Sequence, residues 1–188
     1  MNLPNILTLS RILMIPLLVV CYYWAGPAGK LWAAGLFCLA AVTDWFDGYL
    51  ARRWNQTTPL GAFLDPVADK LIVSVALILL VESHASLWLT IPATIIVGRE
   101  IVISALREWM AELGKRANIA VSNVGKVKTA MQMGAITILL VAELHTWLDW
   151  IGLALIYGAA VLTIWSMLVY LKAAWPHLAA GVEPNSAK

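Results

Sequence analysis

The segment that decides the fold is DWFDGYLARRWNQTTPLGAFLDPVADK, residues 44–70. It places four aspartates, Asp44, Asp47, Asp65 and Asp69, within a sequence that is otherwise strongly apolar. An aspartate at the centre of a membrane helix costs about 2.5–3.5 kcal/mol even on a lenient insertion scale. Four uncompensated aspartates would cost on the order of 10 kcal/mol. The segment therefore requires positive charge close to these carboxylates.

The composition around this segment indicates a membrane protein. Of the 188 residues, 61% are hydrophobic and only 13% are charged, whereas a soluble domain usually carries about 25% charge. Apolar runs of about 20 residues, long enough to cross a bilayer, recur along the chain. A net charge of +2 is too small to indicate nucleic-acid binding. A soluble globular protein is therefore disfavoured.

We predict an all-α, polytopic membrane fold with six transmembrane helices and a short amphipathic N-terminal segment. Short stretches rich in Gly, Pro and polar residues separate the apolar runs. The predicted helices span roughly 6–25, 31–50, 60–81, 88–109, 127–145 and 149–171. We expect residues 1–175 to form a single domain and residues 176–188 to form a flexible tail.

The distribution of basic residues predicts how the chain is oriented. Arg52 and Arg53 follow the second predicted helix, and several Lys and Arg residues flank the loop after the fourth. The loops after the third and fifth helices contain neither Lys nor Arg. Lys30, after the first helix, is the one basic residue that does not fit this pattern. Basic loops stay on the cytoplasmic side of a membrane. We therefore expect both termini and both basic loops to face the cytoplasm.

The four aspartates form two pairs with helical spacing. Residues three or four apart share a helix face, so Asp44 and Asp47 point the same way, and so do Asp65 and Asp69. The short loop between their helices makes the helices antiparallel neighbours, which brings the carboxylates together near the cytoplasmic surface. Such all-oxygen ligand sets suit Mg²⁺ or Mn²⁺. The alternative is four separate polar residues near helix ends, satisfied by water or neighbouring basic side chains.

Three small residues lie beside the aspartates. Gly48 follows the second aspartate, Ala51 comes three residues later, and Gly61 precedes the third aspartate by four residues. Small side chains allow a bulky ligand to approach the backbone. They also allow membrane helices to pack closely, and by themselves they do not decide between these readings.

The spacing of these residues resembles a family signature. The segment has the form D-x-x-D-G-x-x-A-R, eight residues, then G-x-x-x-D-x-x-x-D. It is similar at every fixed position to the CDP-alcohol phosphatidyltransferase family, and the segments NILTLSRI and AVLTIWSMLVYL extend the likeness over most of the chain. The resemblance implies transfer of a phosphatidyl group from CDP-diacylglycerol to an alcohol, with CMP leaving. It also implies a homodimer in a bacterial inner (plasma) membrane.

The resemblance further implies roles for individual residues. All four aspartates would bind a pair of divalent ions, and Asp69 would also be the general base. Residues near the CDP-lipid would be Asp44, Gly48, Ala51, Arg52 and Gly61. Asn5 and Thr8 are further candidates for this pocket, but polar residues at a helix start fit helix caps equally well.

The remaining cations indicate which alcohol is the acceptor. Arg99 and Arg107 lie eight residues apart on one helix, and Lys126 and Lys128 open the next. Arg99 lies inside an apolar run, where an arginine indicates a functional site. Adjacent helical residues point apart, so we do not expect Arg99 to pair with Glu100. A cluster of cations suits an acceptor that carries its own phosphate, such as sn-glycerol 3-phosphate.

Two other functions remain open on the sequence. One is transfer to a different phosphorylated alcohol, such as inositol phosphate. The other is transport of a divalent cation, although a transporter needs polar groups near the bilayer midplane, whereas these carboxylates cluster towards one face. The histidines His84, His145 and His177 lie far apart in the sequence, and we expect no catalytic or metal-binding role for them.

Overall fold

The computed structural model describes residues 3–24, 26–54, 59–112 and 123–182, which are helical almost throughout. The helices are α1 (Leu3–Trp24), α2 (Gly29–Trp54), α3 (Pro59–His84), α4 (Leu87–Glu112), α5 (Asn123–Val141) and α6 (Trp147–Val182), with a short 3-10 helix at Gly26–Ala28. The predicted all-α fold is confirmed, and each predicted apolar run corresponds to one helix.

The ends of the chain differ from the prediction. α1 runs without a break from Leu3, so residues 3–5 belong to this helix and do not form a separate amphipathic segment. Pro4 is compatible with this because the first turn of a helix does not use its N–H groups. α6 continues to Val182, well past the predicted end at 171. The segment it adds, residues 172–182, contains four alanines, and Ala is the strongest helix former. Residues 183–188 lie outside the described residues.

The helices pack through small side chains. α1 contacts α2 and α3, α5 contacts α2 and α6, and α4 contacts α3 and α6. Ala33, Ala40, Ala76 and Ala135 are almost completely buried in the shared core, which allows close approach of helices. Gly152 lies where α6 crosses α5, and a Cβ atom there would come within 2.6 Å of Leu139 Cγ. A larger residue at this position would therefore require the Leu139 side chain to move.

The outer surface of the bundle is apolar. Large side chains such as Leu13 and Ile78 are exposed over 71% and 64% of their surface, which is unusual for a soluble monomer. Trp24, Trp88 and Trp147 are exposed near helix ends, as expected for residues at membrane–water interfaces. The surface is suited to contact with lipid.

Three segments of the described chain are long and apolar enough to span a membrane: Ile6–Trp24, Leu87–Ala111 and Trp147–Lys172. The chain is therefore a membrane protein, but the prediction of six spans is not confirmed. Of the remaining helices, α2 and α3 carry the four aspartates and α5 begins with two lysines. These charges lower the hydropathy of the helices that carry the predicted site.

A polar contact joins α3 to α6 at the end of α3 remote from its aspartates. The buried Asp149 carboxylate lies 3.0 Å from His84 Nε2 and accepts a hydrogen bond of 2.9 Å from the backbone N–H of His145. His145 adopts a φ of 64° in the turn before α6. The contact gives His84 a structural role at a distance from the aspartates of α2 and α3.

Candidate active site

Side chains of α1 link the aspartates of α2 and α3. Thr8 and Arg11 lie three residues apart on one face of α1, and each is only 1% exposed. Arg11 Nη1 donates a hydrogen bond of 2.7 Å to Asp44 Oδ1, and Thr8 Oγ1 donates one to Asp65 Oδ1. The N-terminal helix therefore orients one carboxylate on each of the next two helices.

Arg11 is a site residue that the sequence analysis missed. It supplies part of the positive charge that the aspartates require, and it forms an ion pair with Asp44. The sequence contains a feature that could have identified it: an arginine lies within an apolar run, three residues after a threonine. Thr8 lies in the second turn of α1 and bonds to Asp65, so the alternative of a helix cap is wrong for this residue.

Several of the predicted site residues are described only in part. α2 includes Asp47, Gly48, Ala51 and Arg52, but their side chains lie outside the described residues, as does that of Asn5 in α1. Gly61 is buried in the first turn of α3. The roles predicted for this group remain predictions.

The described carboxylates have the donor chemistry of a divalent-cation site. Asp44 is half-exposed, Asp65 is partly buried and Asp69 is exposed, so their oxygens remain accessible to a cation. Asp69 lies within electrostatic range of Asp44. No group of three His, Cys, Asp or Glu side chains is assembled as a metal site among the residues that the structure describes. Carboxylate oxygens are the ligands that Mg²⁺ prefers, and these aspartates fit that requirement.

Asp69 also faces a cavity between α3, α4, α5 and α6, whose volume is about 260 Å³. The charged residues that line this cavity are Asp69, Lys70, Arg99, Glu100, Arg107 and Lys128. Cations outnumber carboxylates in this set, so the cavity is suited to an anionic ligand.

Glu100 holds two of these cations together. Its Oε1 atom lies 2.7 Å from Arg99 Nη1 and 3.1 Å from Lys128 Nζ, and Arg99 Nη2 donates to Ser166 Oγ on α6 at 3.2 Å. The expectation that Arg99 would not pair with Glu100 is wrong. The two side chains leave α4 in different directions, but both are long enough for the guanidinium group to reach the carboxylate.

The cations retain hydrogen-bonding capacity for a ligand. Arg99 Nε is buried and has no hydrogen-bond partner among the described residues. Arg107 is exposed, with its guanidinium 5.5 Å from the centre of the Tyr170 ring. Lys128 is buried against Glu100, whereas Lys126 is exposed and does not line the cavity. Of the four cations predicted to bind the acceptor phosphate, the structure brings three to one cavity.

Comparisons with known proteins identify the family of this chain. A family model described as CDP-alcohol phosphatidyltransferase matches residues 1–178. The chain is 56% identical over 173 residues to the CDP-diacylglycerol–glycerol-3-phosphate 3-phosphatidyltransferase of Salmonella choleraesuis (strain SC-B67), which covers 92% of this chain and 94% of that relative. A protein of Escherichia coli (strain K12) with the same name has the same identity and coverage.

Glu100 bridges Arg99 and Lys128, and this bridge predicts that the stability of a variant without the Glu100 charge depends on added anions. In Glu100→Gln, Arg99 and Lys128 lose their shared carboxylate and repel each other, so thermal unfolding in detergent should begin at a lower temperature. Added sulfate should raise the unfolding temperature of this variant more than that of the unmodified protein, because the anion replaces the lost charge. Glu108→Gln, an exposed change on the same helix, is the control and should behave like the unmodified protein. An equal response to sulfate in all three proteins would contradict the bridge.

Proposed function

The chain belongs to the CDP-alcohol phosphatidyltransferase family, and we propose that it transfers the phosphatidyl group of CDP-diacylglycerol to sn-glycerol 3-phosphate. The products are phosphatidylglycerophosphate and CMP. The relatives carry the name of this reaction, so the chain is a transferase of phospholipid biosynthesis. The observation in the structure that favours this acceptor is the cation-lined cavity that contains Asp69.

The cavity suits an acceptor with its own phosphate. Guanidinium groups recognise phosphate through several charge-assisted hydrogen bonds, and Arg99 retains a buried donor at Nε. We infer that Arg99, Arg107 and Lys128 bind the phosphate of glycerol 3-phosphate. An uncharged acceptor alcohol would leave the excess positive charge of the cavity unbalanced.

We infer that Asp44, Asp47, Asp65 and Asp69 bind divalent cations, either Mg²⁺ or Mn²⁺. Such ions, when bound, would stabilise charge on the diphosphate and on the departing CMP. Arg11 and Thr8 fix the carboxylates of Asp44 and Asp65 from α1. Contacts of this kind orient metal ligands and are needed to keep a site rigid.

The reaction requires an acceptor hydroxyl to lose a proton. Asp69 faces the cavity in which the acceptor binds, and it accepts the proton of the C1 hydroxyl of glycerol 3-phosphate. The hydroxyl oxygen then forms a bond to the phosphorus of the phosphatidyl group, and the bond from that phosphorus to the oxygen of CMP breaks. The cations that hold the acceptor phosphate place this hydroxyl beside Asp69.

The CDP-lipid occupies the side of the carboxylates nearer α1 and α2 in this proposal. The proposed contact residues are Asn5, Thr8, Asp44, Gly48, Ala51, Arg52 and Gly61. Thr8 bonds to Asp65, and Asp44 bonds to Arg11, three residues further along α1. The acyl chains extend into the bilayer along the apolar exterior.

The proposed setting is a bacterial inner membrane. We infer that all six helices cross the bilayer, that both termini and the basic loops face the cytoplasm, and that the protein is a homodimer. Glycerol 3-phosphate then enters from the cytoplasm. The apolar exterior and the basic residues near one membrane face support this arrangement.

Release of CMP from CDP-diacylglycerol by the purified protein tests the reaction. Release should require glycerol 3-phosphate, stop with EDTA and return with Mg²⁺ or Mn²⁺. Asp69→Asn should reduce turnover by at least about 10²-fold, because loss of a general base alone has an effect of 10²–10⁴. CMP release with inositol phosphate but not with glycerol 3-phosphate would mean that the acceptor is a different phosphorylated alcohol. Cation flux into liposomes without any CMP release would indicate a transporter instead.

Two neighbouring lysines give a matched test of the acceptor pocket. Lys128→Gln should raise the KM for glycerol 3-phosphate by about 10- to 150-fold, the effect of a charge-assisted hydrogen bond, and should change the KM for CDP-diacylglycerol far less. Lys126→Gln removes the same charge two residues away, outside the cavity, and should change neither constant appreciably. Equal effects of the two substitutions would contradict the assignment of the cavity to the acceptor phosphate.

A further inference from the structure

Gln132 is a buried polar residue with no role in the mechanism above. It lies on α5, four residues after Lys128, so the two side chains share a helix face. Only 6% of Gln132 is exposed, and it lines the same cavity as Asp69 and Arg99. Its Oε1 atom is shielded from solvent and accepts no hydrogen bond within the described ranges 3–24, 26–54, 59–112 and 123–182.

An unpaired buried acceptor is destabilising, and buried polar side chains in proteins almost always have a hydrogen-bond partner. A Met or Leu at position 132 would fill the same space between apolar helices without this disadvantage. The neighbouring Met133, which also lines the cavity, shows that this wall accommodates an apolar side chain. The amide is therefore explained best by a hydrogen-bond donor that arrives with a ligand.

The chemistry of the cavity restricts what that donor can be. A phosphate dianion carries no proton, so neither the acceptor phosphate nor the diphosphate of the lipid can donate to Gln132 Oε1. Lys128 Nζ and Arg99 Nη1 are already bound to Glu100. Arg99 Nε is an unpaired donor of a residue that lines this cavity, and the proposed function assigns it to the acceptor phosphate. Of the ligand's own groups, a hydroxyl of the acceptor is the one that can donate to Gln132 Oε1.

Glycerol 3-phosphate has two hydroxyl groups, and the proposed mechanism uses the proton of the one on C1. We propose that Gln132 Oε1 accepts a hydrogen bond from the other, non-reacting hydroxyl on C2, and that Gln132 thereby selects acceptors with a hydroxyl on this middle carbon. The inference rests on the proposed function and deepens it. Two attachment points, the phosphate and the C2 hydroxyl, orient the acceptor so that its C1 hydroxyl faces Asp69.

The test compares two acceptors in the full-length protein in detergent with CDP-diacylglycerol. One is sn-glycerol 3-phosphate, and the other is 3-hydroxypropyl phosphate, which lacks only the C2 hydroxyl. The unmodified protein should prefer the first by about 5- to 150-fold in kcat/KM, the range expected when a buried acceptor loses its donor. Gln132→Met should abolish most of this preference by slowing the reaction of glycerol 3-phosphate alone.

Two further variants separate selectivity from packing. Met133→Leu changes an apolar residue of the same cavity and should keep the full preference. Gln132→Glu retains an acceptor oxygen at the same reach, so it should keep the preference while its added charge weakens both phosphorylated acceptors. Because Gln132→Glu is measured independently, the inference can be refuted even if Gln132→Met does not fold.

Several results would overturn the inference. An unchanged preference in Gln132→Met would do so, as would loss of the preference in Gln132→Glu. An equal loss with both acceptors in Gln132→Met would mean that the amide acts on the phosphate through Nε2, or on Arg99, and not on the C2 hydroxyl. Absence of CMP release by the unmodified protein with either acceptor would refute the proposed function, and this inference with it.

Discussion

Charge compensation inside an apolar helix bundle is the constraint on which the rest of this structure depends. A charged side chain between membrane helices is tolerated only when an opposite charge or a hydrogen-bonding partner is close. Asp44 is paired with the buried Arg11, and Glu100 is shared by Arg99 and Lys128. These ion pairs join four of the helices, so the packing of the bundle and the position of its polar groups are specified together.

The compensation is incomplete in two opposite ways, and this gives the site its chemistry. Where α2 and α3 meet α1, aspartates are in excess, and this favours binding of cations. In the cavity between α3, α4, α5 and α6, basic residues are in excess, and this favours binding of anions. Asp69 lies within electrostatic range of both regions, since it interacts with Asp44 on one side and with Lys128 on the other. In the proposed mechanism Asp69 is therefore a proton acceptor between the proposed metal site and the proposed phosphate pocket, which is the position that phosphatidyl transfer to a phosphorylated alcohol requires.

The amino-acid sequence predicts the helices well, because they depend on local spacing. The roles of the site residues remain predictions. The sequence does not predict partners that come from distant parts of the chain, which is why Arg11 and Gln132 are identified only in the folded structure. Lys126 and Lys128 illustrate the same limit. Residues two apart on a helix point to nearly opposite sides, and packing of α5 against α2 and α6 fixes which side faces the cavity. The pairing of Arg99 with Glu100 depends on side-chain length, which helical periodicity ignores.

The central claim is that the aspartates of α2 and α3 bind divalent cations, and equilibrium binding of Mn²⁺ followed by electron paramagnetic resonance tests it most directly. The detergent-solubilised protein should bind two Mn²⁺ ions per chain saturably, and Mg²⁺ should displace them. Asp44→Asn and Asp65→Asn should each weaken this binding strongly, whereas Glu143→Gln, at an exposed carboxylate remote from the site, should leave it unchanged. Absence of saturable binding, or equal binding in all four proteins, would contradict the account.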